Sequence, residues 1–295
     1  MNELGVNLFY EYVGGGPGKV IKNLIKGLEE NNISCISNDL DNKIYYTGLL
    51  QSIINVHDKQ LSHALCGPNL FVIPPDWGES CQLYSHYIVP SQWVLDKYRT
   101  FWTLDHATID VWASGIDTEY WQCDEKKQNR CLIYYKNRRI IELANIINHL
   151  NSIKMDYDLL EYGYYSEKEL FDVCTRCSCA ILLTGTESQG IGYLEILSMN
   201  VPCFVCNKSK WDTNPHFGPF AASSVPYFDE SCGVISDQFN GLFFNEFVSK
   251  LTSFSARKYV IDNFTLKQRG QEYYKLLQQY NCIWQKPIIE EQCQM

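Results

Sequence analysis

Apolar positions along this chain follow two alternating rhythms. "GVNLFYEY" is a short apolar run of strand type, and "GKVIKNLIKGLEENN" places Val20, Ile21, Leu24, Ile25 and Leu28 at helical spacing. "ISCIS" predicts a short strand, "GLLQSIINVHD" carries a further apolar segment, and "NLFVIPP" predicts a strand closed by prolines. "HYIVP" predicts another strand, and "SQWVLDKYRTF" a helix with Ser91 at its N-cap. "ATIDVWAS" completes this series. The pattern then restarts. "NRCLIYYK", "YDLLEYG", "SCAILLTG" and "VPCFVC" predict strands, separated by the helices "RRIIELANIINHLNSI", "SEKELFDVCTRC" and "GIGYLEILSMN". Ser166 with Glu169 three residues later has the spacing of a capping box.

Strand–helix alternation predicts an α/β protein with doubly wound parallel sheets. The restart near residue 115 predicts two such domains, with the polar segment "SGIDTEYWQCDEKKQN" as the linker. Open parallel sheets take ligands at the carboxyl ends of their strands, so two of them facing each other predict a central cleft as the site.

The 295 residues are 45% hydrophobic, which suffices for one large core or two ordinary ones. A formal charge of −9 disfavours nucleic acid and anionic lipid as partners, and the one dense basic cluster, Lys136–Arg139, is too short to reverse that. No run reaches the ~18 apolar residues of a transmembrane segment. The N-terminus lacks the pattern of a signal peptide. The expectation is therefore a soluble, cytoplasmic protein. Its 13 cysteines are expected to be reduced. The pairs Cys174/Cys177 and Cys203/Cys206 have CxxC spacing, but residues three apart on a strand point to opposite faces. Buried thiols are expected there rather than a zinc site.

The glycine cluster "VGGGPGKV" between a strand and a helix suits a phosphate cradle. Two familiar cradles fail. Val13 stands where the P-loop needs glycine, Val20 where it needs Ser or Thr, and Lys19 where the dinucleotide fingerprint needs its third glycine. What survives is a glycine turn feeding a helix N-terminus, which offers amides to an anion or serves only as a turn. In "TGTESQGIGYLEILSMNVPCFV", Glu187 lies in the loop at a strand's carboxyl end and Glu195 lies eight residues on, inside a helix. Gly190 and Gly192 allow close approach to that helix's N-terminus. Such carboxylates can bind sugar hydroxyls while amides hold a phosphate; taken alone they also fit a solvated surface.

"ESQGIGYLE" resembles the E-x7-E segment of family 4-like glycosyltransferases with the GT-B fold. The following "NVPCFV" resembles that family's next run, with Val201 where glycine is usual. "EYVGGGPGKVIKNLIKGL" is similar to its glycine loop and first helix, "YIVPSQWVLDKY" to the end of its acceptor domain, and "SGIDTEYW" to its domain junction. "CLIYYKNR" stands where the family has a basic phosphate-binding element, and "VIDNFTLKQRGQEYYKLL" resembles its returning C-terminal helix. The first domain is short for the family, and "KSKWDTNPHFGPFAASSVPYFDESCG" has no family signature.

The resemblance implies two Rossmann-like domains, 1–112 on the acceptor side and 113–262 on the nucleotide-sugar side. Residues 263–295 would cross back to the first domain and end in a tail. It implies a retaining transfer of a sugar from a UDP-, GDP- or ADP-sugar to a carbohydrate-type acceptor, whether glycan, lipid or protein. Glu187 would bind the donor sugar and Glu195 the ribose. Lys136, Arg138, the amides of Gly190 and Ile191, and the Gly15–Gly16 loop would hold the diphosphate. With cations and amides doing this, neither a cofactor nor a metal is expected, and "DLDN" (Asp39–Asn42) reads as a turn. His57 is a candidate for hydrogen bonding the sugar in the catalytic site, or a loop histidine. Asp76 and Trp77 are candidates for the acceptor pocket, or a surface turn. A nucleotide-sugar epimerase and a non-catalytic nucleotide-sugar binder are the alternatives.

Overall fold

The computed structural model describes residues 4–39, 41, 44–50, 64–68, 84–101, 104–123, 125–212 and 219–282. The chain divides into two compact units, Met1–Gly115 with Leu266–Met295, and Ile116–Thr265. Each boundary lies three residues beyond the position expected from the sequence, 112 against 115 and 262 against 265.

The first unit opens with β1 (Val6–Phe9), α1 (Gly15–Glu30), β2 (Cys35–Ser37), β3 (Tyr46–Leu49) and β4 (Leu65–Cys66). It continues with β5 (His86–Val89), α2 (Gln92–Tyr98) and β6 (Thr108–Val111). The six strands form one parallel sheet in the order β2-β1-β3-β4-β5-β6. Strand order reverses between β1 and β3, and the glycine cluster follows the carboxyl end of β1. β1 is buried along its whole length, as a strand covered on both faces must be. α1 buries Val20, Ile21, Leu24 and Leu28. It starts inside the glycine cluster, with Gly14 as N-cap, so Gly15 and Gly16 belong to the first helical turn and Lys19 is an ordinary helical residue. Ser91 occupies the N-cap position of α2, but its side chain makes no capping hydrogen bond.

The second unit contains β7 (Gln128–Lys136), α3 (Ile140–Ser152), β8 (Asp156–Glu161), α4 (Glu167–Arg176), β9 (Cys177–Thr184) and α5 (Ile191–Ser198). Then come β10 (Cys203–Cys206), an antiparallel pair of β11 (Lys210–Trp211) and β12 (Phe220–Ala221), β13 (Gly233–Ser236), α6 (Gly241–Ser249) and α7 (Ala256–Asn263). Its five-stranded parallel sheet has the order β13-β10-β9-β7-β8. One face packs Cys131, Ile133, Cys179, Ile181 and Phe204 against Ile146 and Leu150 of α3 and Phe244 and Phe247 of α6. The capping box of α4 forms as the spacing predicts: Ser166 N donates to Glu169 Oε2 at 2.7 Å, and Glu169 N to Ser166 Oγ at 3.2 Å. Cys174, Cys177, Cys203 and Cys206 are free and fully buried, and burial pushes the Cys174 and Cys206 thiols up to about 12.

The segment after Gly115 is not the loose linker its polarity suggests. Ile116 bridges to Thr265, Trp121 is buried, and Ser198 Oγ donates to Trp121 O at 2.7 Å. Arg257 donates to the carbonyls of Trp121 and Thr118 at 2.8 and 3.1 Å, so a distant side chain satisfies its backbone.

The last described helix, α8 (Leu266–Gln279), belongs to the first unit and packs on α1. A Cβ on Gly27 would collide with the Leu266 carbonyl oxygen, and one on Gly270 with the Gly27 backbone. The absence of side chains lets the two backbones meet. Trp112 Nε1 donates to Arg269 O at 2.9 Å, and Tyr273 packs edge-on against the Trp112 ring. Alanine is the better helix former by ~1 kcal/mol. Even so, Gly27→Ala is expected to lower stability by about 1–3 kcal/mol, because the helices must separate to admit the methyl. A thermal melt comparing the two proteins checks this; an unchanged or raised Tm would contradict the packing described.

Candidate functional site

In the second unit the chain runs from β7 to β8 at one edge and then returns across β7 to β9. Strand order therefore reverses between β7 and β9, and their carboxyl ends flank the position where open α/β sheets bind ligands. Lys136 is the last residue of β7, Thr184 the last of β9, and the two are partners in register. Side chains alternate across a strand. Ile133 and Leu183 point into the α3–α6 core, so Tyr134, Lys136 and Thr184 take the opposite face. Tyr134 reaches α5 there: a Cβ on Gly192 would lie 2.7 Å from its hydroxyl.

Lys136 Nζ sits 2.9 Å from Glu187 Oε1 and 3.0 Å from Oε2, with both side chains largely buried. The same ammonium lies 4.0 Å from the centroid of the Tyr162 ring. Glu187 is held by its backbone, whose N–H donates to Ser223 O at 2.8 Å. Burial raises the Glu187 carboxyl above the ordinary glutamate range, and Lys136 offsets only part of that rise.

This shift sets a pH dependence. Above the ordinary value of 4.5 the folded state keeps the Glu187 proton longer than the unfolded chain does. The stability it contributes is thus fully present below the unfolded value and lost as pH rises through the folded one. The difference in unfolding free energy between wild type and Glu187→Gln is expected to fall as pH rises from 4.5 through the raised value. Urea titrations across that range check the sign; a difference that grows with pH would overturn it.

α5 starts at the site. Gly190, its N-cap, has φ of +75°, a left-handed conformation that favours glycine, and a Cβ there would collide with the Tyr193 ring. Ile191 is the first helical residue, and Glu195, four residues on, is buried in the helix. Tyr165 and Tyr134 share a hydroxyl–hydroxyl hydrogen bond of 2.7 Å. Burial first, with the charges of Glu195 and Glu187 among the lesser causes, pushes the Tyr165 hydroxyl up to about 12. Glu187, Lys136 and the α5 N-terminus thus gather at one end of this sheet, with Glu195 a turn further along α5. In the first unit, a Cβ on Gly15 or Gly16 would meet nothing within 4 Å, so the first turn of α1 is open to approach. His57, Asp76 and Trp77 lie outside the described residues.

No protein-family model matches the chain, and no curated protein does. Solved structures do. Over 94% of this chain and 99% of the other it is similar to the lipopolysaccharide outer core galactosyltransferase WaaB in its apo form, at 12% identity and a TM-score of 0.56. It is also similar to sucrose-phosphate synthase (tll1590) from Thermosynechococcus elongatus, over 94% and 98% of the two chains, at 9% identity and a TM-score of 0.52. The chain has the GT-B fold.

Within this GT-B chain Arg138, expected from the resemblance at the diphosphate, makes several hydrogen bonds inside its own unit. The Arg138 guanidinium donates to the carbonyls of Thr184 and Cys206 at 3.0 and 2.7 Å, and to both carboxylate oxygens of Glu142 at 2.6 and 3.3 Å. Its side chain is 9% exposed. Arg138 therefore ties the ends of β9 and β10 to the start of α3. Its sequence neighbourhood is basic, and nothing in that neighbourhood marks two carbonyls 46 and 68 residues away. The sequence reading also missed Tyr134, Tyr162 and Tyr165. The aromatic run "YGYY" directly after β8 is the signal that points to the latter two. Among the described residues, no cluster of three or more His, Cys, Asp or Glu is placed to hold a metal, and no helix is long and apolar enough to cross a membrane.

Proposed function

We propose that this protein is a retaining glycosyltransferase that uses a nucleotide-diphosphate sugar as donor and a carbohydrate-type acceptor. The observation that carries the reading is the Lys136–Glu187 pair at the β7/β9 reversal, beside the N-terminus of α5. The two similar solved proteins, a galactosyltransferase and a sucrose-phosphate synthase, support it.

The bond between the anomeric carbon and the diphosphate oxygen breaks as the acceptor oxygen bonds to that carbon. The leaving phosphate takes the acceptor proton. Negative charge grows on the diphosphate, where Lys136 and the first amides of α5 stabilise it. Glu187 accepts hydrogen bonds from donor sugar hydroxyls, and Glu195 belongs to the ribose end. In this reading lysine and amides supply the charge stabilisation without a metal.

Incubation with UDP-, GDP- and ADP-sugars, with and without a panel of carbohydrate acceptors, tests the proposal through nucleotide release and product analysis. Acceptor-dependent release of a nucleoside diphosphate, with a glycoside of unchanged anomeric configuration, is the expected result. An isomerised or free sugar formed without acceptor would favour the epimerase reading, and binding without turnover a non-catalytic one.

A further inference from the structure

We infer that Tyr162 is a positioning residue for the donor diphosphate, acting through Lys136; the inference rests on the reading of Lys136 above. Tyr162 follows β8 directly, and its backbone N–H donates to Tyr135 O at 2.9 Å, which ties it to the strand that carries Lys136. It is 44% exposed, too open for a core residue, yet its ring lies 4.0 Å from the Lys136 ammonium.

Two unlike groups therefore hold one cation. Glu187 holds it by charge and hydrogen bonds, and a carboxylate so placed also repels an incoming diphosphate. The Tyr162 ring holds it through the negative face of its π system and carries no net charge. A flexible lysine stem is thereby ordered before the ligand arrives, without a second anion at the place where the diphosphate must come. Glu187 and Tyr162 have separate tasks: one meets the sugar, the other aims the cation.

Titration calorimetry on the full chain tests this, with UDP, GDP and ADP and the corresponding monophosphates as probes. The proteins compared are wild type, Lys136→Ala, Tyr162→Leu, Tyr162→Phe and the Lys136→Ala/Tyr162→Leu double variant. Tyr162→Leu is expected to weaken binding of the preferred diphosphate roughly 3- to 10-fold, the scale of a lost cation–π contact, with a smaller effect on the monophosphate. Tyr162→Phe keeps the ring face and is expected to restore binding to within about twofold. Without Lys136, the leucine substitution should cost nothing further. Equal losses in the Phe and Leu variants, no loss in Leu, or a loss that persists in the double variant would each overturn the inference alone. Wild-type protein that binds none of the probes, or binding indifferent to Lys136→Ala, would overturn the site reading and this inference together.

Discussion

Lys136→Ala is expected to slow sugar transfer by at least ~10²-fold, the scale of removing one preorganised charge-stabilising group. Two losses coincide. In the proposed transfer the departing diphosphate loses the cation at the end of β7, in a setting where a largely buried charge interacts more strongly than in water. Glu187, whose carboxyl burial already raises, also loses the partner that offsets part of that rise, so its carboxyl shifts further up. The fall should appear chiefly in kcat, because the leaving oxygen carries more negative charge in the transition state than in the bound donor. Steady-state measurement of nucleotide release with saturating acceptor reads it out. A rate within about threefold of wild type, on the same scale of effect, would remove Lys136 from the mechanism.

Arg138→Ala is expected to act on stability instead, lowering it by about 3 kcal/mol, near the lower end for breaking a buried ion pair. The substitution strips donors from Thr184 O and Cys206 O at the ends of two strands and leaves the Glu142 carboxylate without its guanidinium. Glu142 also accepts from Arg139 N at 3.0 Å at the N-terminus of α3, so the helix start loosens with it. Lysine should not rescue the loss, because a single ammonium cannot reproduce the planar fork that serves Glu142 and both carbonyls. The side-chain hydrogen bond from Arg138, the largest cause, holds the Glu142 carboxyl below its ordinary range. The stability this contributes is present above the ordinary glutamate value and lost as pH falls through the depressed one. The gap between wild type and Arg138→Ala should therefore narrow in acid. Urea unfolding at neutral and acidic pH measures both the size and the trend; a gap that widens in acid would contradict the pairing.

The two cases mark what local sequence carries. Strand–helix alternation, the helical stripe of α1 and the Ser166–Glu169 box are short-range patterns, and each was legible because its physics spans a few residues. The two glutamates were legible for the same reason, being set eight apart around the start of α5. β4 has only two residues in strand conformation, too few to show a period. Lys136 and Arg138 look alike in "KNRR", yet one meets a carboxylate and an aromatic ring while the other is clasped by carbonyls of β9 and β10. Only the sheet order, which brings those strand ends together, separates them. Ser91 shows the converse: a good capping residue at the right position whose hydroxyl does not cap.

The packing of α8 on α1 has a consequence for biosynthesis. The first unit is discontinuous: its six strands are translated first, while the helix that seats Gly270 against Gly27 is translated only after all of Ile116–Thr265. A nascent chain on the ribosome would hold the earlier sheet with part of α1 uncovered while the later unit, contiguous in sequence, completes itself. A helix made after the second unit closes the unit begun before it, so chains halted between Gly115 and Leu266 should be far more dependent on chaperones than chains that include α8.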